Sequence, residues 1–374
     1  MAGIYIHIPF CKKACNYCNF HFSTNTKLVD QFVEVLLQEI EYKKDYLSNE
    51  TIETIYFGGG TPSLLTIQQL SNILQQVYKQ FSVMPNAEIT LEVNPENVNS
   101  DSVYNWKLIG FNRLSMGIQS FFEDELQFMN RSHNVQQAIN SLHLITTQFT
   151  NFSVDLIFGS HLQKTTILQQ NLDILLQFKP PHISCYALTV EDKTLLSSQV
   201  KTNANLEPSQ EIQQQGFYLI KDCLESFGYQ HYEISNYCLP GFKSKHNSNY
   251  WKGTPYIGFG PSAHSYNKIS RSWNIANNAL YMNAVNNFDT ITESEILTNN
   301  QIVNEFIMIG LRTNKGISLD DLSILTTTTI FEQIIEKVKQ FVSKGLMQLT
   351  NSHFYLTREG LIFADGIAAD LFLD

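Results

Sequence analysis

The chain has 374 residues, 43% of them apolar, and a formal net charge of −10. That length and apolar content exclude a disordered chain and allow one large domain plus a small one. The acidic balance excludes nucleic acid as the main ligand, because phosphate recognition needs a basic face.

In chain order, Gly3–Phe10 reads as a strand. The stretch from Met1 to Pro9 has neither a basic flank nor a long apolar run, so no signal peptide is read there. Lys27–Asp45 reads as a helix, with Leu28, Phe32, Leu36 and Ile40 at i+4 spacing. Glu53–Phe57 is a strand running into three glycines, and Gln68–Phe81 a helix. Glu88–Val93 is a strand broken at Asn94-Pro95, followed by a helix over Ser100–Ile109 with Asp101 in its first turn, where the helix dipole favours an acid. Arg113–Gln119 is a strand. Helix follows through Leu126 and again near Val135–Thr147. Ser153–Phe158 and His182–Leu188 are strands on either side of a helix over Thr166–Phe178. After a loop comes a long helix over Pro208–Phe227.

From Tyr229 to about Ser272 the pattern loosens into aromatic and glycine-rich loops. Ile302–Leu311 and Ile330–Val342 are amphipathic, Gly345–Leu356 alternates as a hairpin does, and Leu361–Leu371 closes with a helix. The last part resembles a winged-helix unit. The expected division is an α/β domain over 1–235, a connecting segment over 236–295 and a small helical domain over 296–374. No segment approaches the roughly 18 apolar residues of a membrane span.

Strands alternating with helices imply parallel pairing through right-handed crossovers. Six such units make either an open doubly wound sheet or a partial barrel, and in a barrel functional groups gather at the C-terminal strand ends. Those ends carry a cysteine loop, Gly58–Pro62, Glu92–Pro95, Gln119-Ser120, Asp155–Gly159 and Ala187-Leu188.

The cysteine loop holds Cys11, Cys15 and Cys18 in the spacing C-x3-C-x2-C. Three thiolates fall one short of the four that usually close a [4Fe-4S] cluster, which leaves one iron open to a small molecule. The rival reading is zinc, with His21 completing a Cys3His set. A zinc ribbon brings a second CxxC pair, and none exists here; a loop directly after the first strand of a βα series favours the cluster. Cys185, Cys223 and Cys238 are scattered and read as ordinary thiols. Six cysteines with no framework fit a reducing cytoplasm.

Tyr5-Ile6-His7-Ile8-Pro9-Phe10-Cys11, the C-x3-C-x2-C loop with Tyr17 before Cys18, and Gly58-Gly59-Gly60-Thr61-Pro62 together resemble the radical S-adenosylmethionine (SAM) superfamily. More narrowly, the chain resembles the oxygen-independent coproporphyrinogen III oxidase family and its HemW-type heme-chaperone branch, over nearly its whole length. The resemblance implies a partial (β/α)6 barrel with a small C-terminal winged-helix-like domain. It implies a cluster on the three cysteines, with SAM on the open iron through its amino and carboxylate groups. Residues matching the family's SAM site are Tyr5, Tyr17, Gly59, Gly60, Thr61, Glu92, Gln119, Arg131, Asp155 and Ala187, with His264 a weaker match. Arg131 corresponds to a carboxylate-binding arginine, for which a guanidinium fork is suited. The family's Leu-Pro-Gly-Gln-Thr run after Gly159 is replaced here by Ser160-His161-Leu162-Gln163-Lys164-Thr165, which leaves the shape of that loop open.

The oxidase cleaves SAM reductively, and the resulting radical takes hydrogen from a propionate. Its pattern adds a fourth cysteine two positions after the third, where this chain has Phe20, and an N-terminal extension before the first strand. The run His246-Asn247-Ser248-Asn249-Tyr250-Trp251 reads H-N-x-x-Y-W, the signature of the chaperone branch. Histidine is a common axial heme ligand and aromatic rings pack on a porphyrin, so His246, Asn247, Tyr250 and Trp251 are the heme-binding residues expected. The expected partners are heme, an acceptor protein that could be membrane-bound, an electron donor if SAM is cleaved, and a second copy in a cluster-dependent dimer. Oxidase activity is the alternative, and a zinc-containing winged-helix regulator the third reading.

Overall fold

The computed structural model describes residues 1–373. Six strands run parallel in chain order: β1 (Ala2–Ile8), β2 (Ile52–Gly59), β3 (Val83–Val93), β4 (Arg113–Gln119), β5 (Phe152–Phe158) and β6 (His182–Ala187). The helices between them are α1 (Val29–Tyr42), α2 (Ile67–Gln80), α3 (Ser100–Leu108), α4 (Glu123–Phe128), α5 (Val135–Gln148) and α6 (Thr165–Gln177). Strand β1 shows why the layers form. Ile4, Ile6 and Ile8 are fully buried and join the core that α1 and α2 cover. Gly3, Tyr5 and His7 alternate to the concave face. Strands β1 and β6 do not pair, so the six-stranded wall stays open, as a partial barrel requires. Helices α2, α3 and α5 each start on a capping box, from Thr66, Asn99 and Asn134.

Past β6 come α7 (Leu195–Thr202), α8 (Gln210–Ser226), β7 (Gln230–Glu233), β8 (Asn236–Cys238), α9 (Lys245–Trp251), β9 (Tyr256–Phe259), β10 (His264–Tyr266), β11 (Ser270–Asn274), α10 (Asn278–Asn283) and β12 (Thr292–Ile296). The loops expected from Tyr229 to Ser272 are instead strands that extend the sheet at both edges. Strands β8 and β7 continue antiparallel beyond β6, while β9 pairs parallel with β1 and carries β10, β11 and β12 outward. The result is one sheet of 12 strands. These strands are only three to five residues long, too short for an alternating pattern to show.

The C-terminal part runs α11 (Asn299–Leu311), β13 (Ile317–Ser318), α12 (Leu319–Leu325), α13 (Thr328–Ser343), β14 (Met347–Leu349), β15 (His353–Leu356) and α14 (Ala364–Leu371). Its three strands form a separate sheet ordered β13-β15-β14, and its apolar residues form their own core. Helix, strand, two helices and hairpin is the order of a winged helix. It joins the larger body through Ile234 N–H donating to Arg312 O (2.9 Å) and a two-pronged Arg358–Asp222 pair. Among the described residues no helix is long and apolar enough to cross a membrane.

Candidate functional site

The cysteine loop leaves β1 and is pinned on both sides. Gly60 N–H donates to Ile8 O (2.9 Å) and Thr61 N–H to Phe10 O (2.7 Å). A Cβ on Gly60 would lie 2.6 Å from Phe10 O and 2.9 Å from Ile8 O, so the glycine run is needed first to let two backbones touch. Gly60→Ala is therefore expected to destabilise the protein by about 1–3 kcal/mol, the usual range for overpacking; an unchanged midpoint in thermal unfolding would contradict this. From the other side, Asn130 Nδ2 donates to Ala14 O and Asn16 Nδ2 to Phe128 O, both at 2.6 Å. The end of α4 thus fixes the loop's outer arm.

All six cysteines are free thiols, and Cys11, Cys15 and Cys18 line one cavity of about 420 Å³ at the C-terminal ends of the strands. Burial pushes the Cys11 thiol up to about 12, and it raises Cys18 as well. Such thiols ionise when a metal takes the proton's place. Among the described residues, no three of His, Cys, Asp and Glu gather tightly enough to hold a single metal ion. A cubane makes no such demand, since each thiolate takes its own iron. His21, the fourth ligand of the zinc reading, has its Nε2 2.7 Å from Asn278 Oδ1. The donor set therefore suits a cluster and does not suit one zinc ion.

Arg131 is the hub of the cavity wall. Its Nη2 donates to Asn94 Oδ1 (2.8 Å) and Gly117 O (2.7 Å), and its Nη1 lies 3.3 Å from Cys15 Sγ. Burial opposes its charge, but Tyr17 and Cys15 beside it hold its pKa above the ordinary arginine value. Its Nε and the Oε1 of Gln119 are buried with no protein partner. Gln119 itself sits at φ +72°, a left-handed conformation that costs energy in a side-chain-bearing residue and often marks a site. Glu92 accepts from Tyr56 Oη at 2.7 Å. Burial, helped by Asp155, pushes its carboxyl up to about 7. Burial also raises Asp155, which accepts from Ser115 Oγ at 3.5 Å.

A second chamber of about 310 Å³ lies deeper in the barrel and shares Phe20, Glu92, Ser115, Asp155 and Tyr186 with the first. Helix α9 closes its floor. Glu88 accepts from Lys245 N–H and His246 N–H, both at 3.0 Å, and so caps that helix. His246 is buried, with Nδ1 2.9 Å from Thr54 Oγ1 and Nε2 3.1 Å from Tyr250 Oη. Its ring stacks on Tyr56 at 4.9 Å, and burial, followed by Arg113, lowers its pKa to about 3. The imidazole is therefore neutral and both nitrogens are engaged.

Of the residues singled out in the sequence, Cys11, Cys15, Cys18, Tyr17, Gly59, Gly60, Thr61, Glu92, Gln119, Arg131, Asp155 and Ala187 line the upper cavity. Tyr5 and His264 do not. Tyr5 pairs with Tyr56 one level below the strand ends, lines the lower chamber and has its hydroxyl 3.2 Å from His7 Nδ1. His264 is exposed on β10, its ring 6.0 Å from Trp273. His246, Asn247 and Tyr250 line the lower chamber. Trp251 lies elsewhere, under the Arg312 guanidinium at 5.6 Å. Asn94 was missed: besides holding Arg131, it donates to Thr61 Oγ1 at 3.1 Å and so ties two strand ends together. The position after Glu92-Val93 was the available signal. The altered loop after Gly159 is firmly built, with Ser160 Oγ and Gln163 Nε2 donating to buried Glu125 at 3.1 and 3.3 Å. His161 packs on Phe128, outside the cavity.

An open barrel with three free thiols, a glycine turn and a guanidinium at the strand ends defines a radical SAM protein. The Radical SAM superfamily model matches residues 5–163, and the HemN C-terminal domain model matches residues 297–363. The chain is 30% identical over 375 residues to "Heme chaperone HemW" of Mycobacterium tuberculosis, covering 99% of this chain and 94% of that one. It is 36% identical over 265 residues to the protein of the same name from Escherichia coli, covering 70% and 69% of the two chains. The solved coproporphyrinogen III oxidase (HemN) of E. coli superposes with a TM-score of 0.86 at 22% identity, over 99% of this chain and 90% of that one. The chain belongs to the HemW family, a branch of the radical SAM superfamily, whose cofactors are a [4Fe-4S] cluster and SAM.

Proposed function

We propose that this protein is a cytoplasmic heme chaperone, which binds heme and passes it to an acceptor protein. The observation that carries the reading is Phe20, 67% exposed at the rim of both cavities, where the oxidase pattern has its fourth cysteine. The H-N-x-x-Y-W run and the names of the relatives agree with it. Cys11, Cys15 and Cys18 hold the cluster, and SAM occupies the rest of the upper cavity. The unpartnered Arg131 Nε and Gln119 Oε1 suit its polar groups, with the Arg131 guanidinium serving the carboxylate and Glu92 the amino group. When bound, the cluster–SAM pair supplies one-electron radical chemistry. His246 reaches heme once its imidazole leaves Thr54 and Tyr250; the neutral form that burial enforces is the form that binds iron. The domain limit at 295 and a dimer assembled with the cluster belong to this reading, whereas 235 falls inside the β7–β8 hairpin of the larger sheet.

Anaerobic incubation with coproporphyrinogen III, SAM and a reductant is expected to leave the porphyrinogen unchanged. Conversion to protoporphyrinogen IX would overturn the chaperone reading in favour of the oxidase.

Glu92 gives a pH dependence. Its folded pKa of about 7 is raised above the ordinary 4.5, so its protonated form stabilises the fold at low pH, and that contribution is lost as pH rises through 7. An amino group held on iron is a neutral amine whose N–H groups donate, and the carboxylate form of Glu92 accepts them best. SAM binding is expected to tighten up to about tenfold from about pH 6 to about pH 8, with proton release. Glu92→Gln should flatten the profile, and calorimetry in two buffers of different ionisation enthalpy checks the proton count.

A further inference from the structure

The lower chamber contains a charge that neither cofactor explains. Arg113 projects from the start of β4 and is only 2% exposed. Its Nε has no hydrogen-bond partner, and among the described residues no carboxylate forms an ion pair with its guanidinium. Glu92 and Asp155 in the same chamber feel its charge and offset part of the cost, but neither reaches it directly, and a buried guanidinium normally has its N–H donors filled by a direct partner or a ligand. Two neutral groups near it are also unsatisfied: His182 Nδ1, in the chamber wall, and Thr90 Oγ1, opposite Arg113 in the sheet register. The other nitrogen of His182 is held by Tyr232 Oη at 2.8 Å, which fixes the ring. Serine hydroxyls and tyrosine rings complete the wall.

We infer that this chamber is a second binding site, for a small carboxylate whose oxygens pair with Arg113 and accept from its buried neighbours. A carboxylate matches the planar guanidinium fork in two-pronged fashion. A phosphate dianion is disfavoured, because Glu92 and Asp155 line the same chamber and would repel the extra charge. The aromatic walls accept an apolar stem. The residues shared with the upper cavity make that cavity the way in, past Phe20. The carboxylate has two sources, a free acid or a side arm of a larger ligand such as a porphyrin propionate. Only the second depends on the heme reading.

The test uses the full chain, reconstituted anaerobically with cluster and SAM, titrated with propionate by calorimetry and thermal unfolding. Wild type should show saturable binding. Arg113→Met should weaken it at least tenfold and keep the cluster absorbance. Should that variant not fold, Arg113→Lys decides: it keeps the charge but not the fork, and should weaken propionate at least threefold. Displacement of propionate by mesoporphyrin IX but not by its dimethyl ester identifies the side-arm source; displacement by neither identifies a free acid. No saturable response in wild type, or undiminished binding in the Arg113 variant that folds, would overturn the site. The propionate readout needs no heme, so it can succeed where the chaperone reading fails.

Discussion

Cys15→Ser protein, prepared and reconstituted without oxygen, is expected to lose the brown iron–sulfur chromophore entirely. Cys15 is the middle thiol of the three that face the cavity, and Arg131 Nη1 lies 3.3 Å from its sulfur. Iron prefers thiolate to a serine hydroxyl by a wide margin, and two remaining cysteines cannot hold a cubane. The fold should survive, because the loop is pinned by backbone and asparagine bonds that do not involve this sulfur. Iron and sulfide analysis beside a circular dichroism spectrum separates the two effects. A full complement of iron in the variant would remove Cys15 from the ligand set.

His246→Ala is expected to weaken heme binding at least tenfold while the cluster assembles normally. On the proposed reading, freeing the imidazole for iron would cost two hydrogen bonds, to Thr54 and Tyr250, and the heme site would be a rearranged state of the chamber floor. The same change carries a structural cost. It leaves two buried hydroxyls short of a partner and opens a void beside Tyr56, which together amount to about 3 kcal/mol. His246→Gln can retain one of those bonds without an imidazole, so it should recover stability but not heme affinity. Heme titration of both variants checks this, and an unaltered affinity in either would exclude His246 as a ligand.

The larger body was legible because each βα unit carries its own periodicity. Arg113–Gln119 has the same limits in sequence and structure, and the other parallel strands agree within two residues, except that β3 starts at Val83, ahead of the expected Glu88. The strand-end rule then brought Glu92, Gln119, Asp155 and Ala187 to one cavity. Tyr5, put forward by the family resemblance and not by that rule, lies lower, because alternation gives the face of a strand but not the depth along the barrel; that depends on register, and Tyr5 lies beside Tyr56, three residues short of Gly59. His264 failed because antiparallel pairing with β11 carries it outward, and nothing local announces that pairing. The H-N-x-x-Y-W run was visible as a motif. Its closure of the barrel floor rests on Glu88, more than 150 residues earlier in the chain, a contact no local pattern reveals. Helices α7 and α12 were missed because eight and seven residues span barely two turns, too few for a periodic signal.

The central claim, a heme-binding protein on an iron–sulfur scaffold, is tested most directly by one anaerobic absorption spectrum recorded before and during heme addition. The expected result is a cluster absorbance at the start, then a shifted Soret band that saturates with added heme while the cluster absorbance persists. A normal cluster with a Soret band no different from heme in buffer would contradict it.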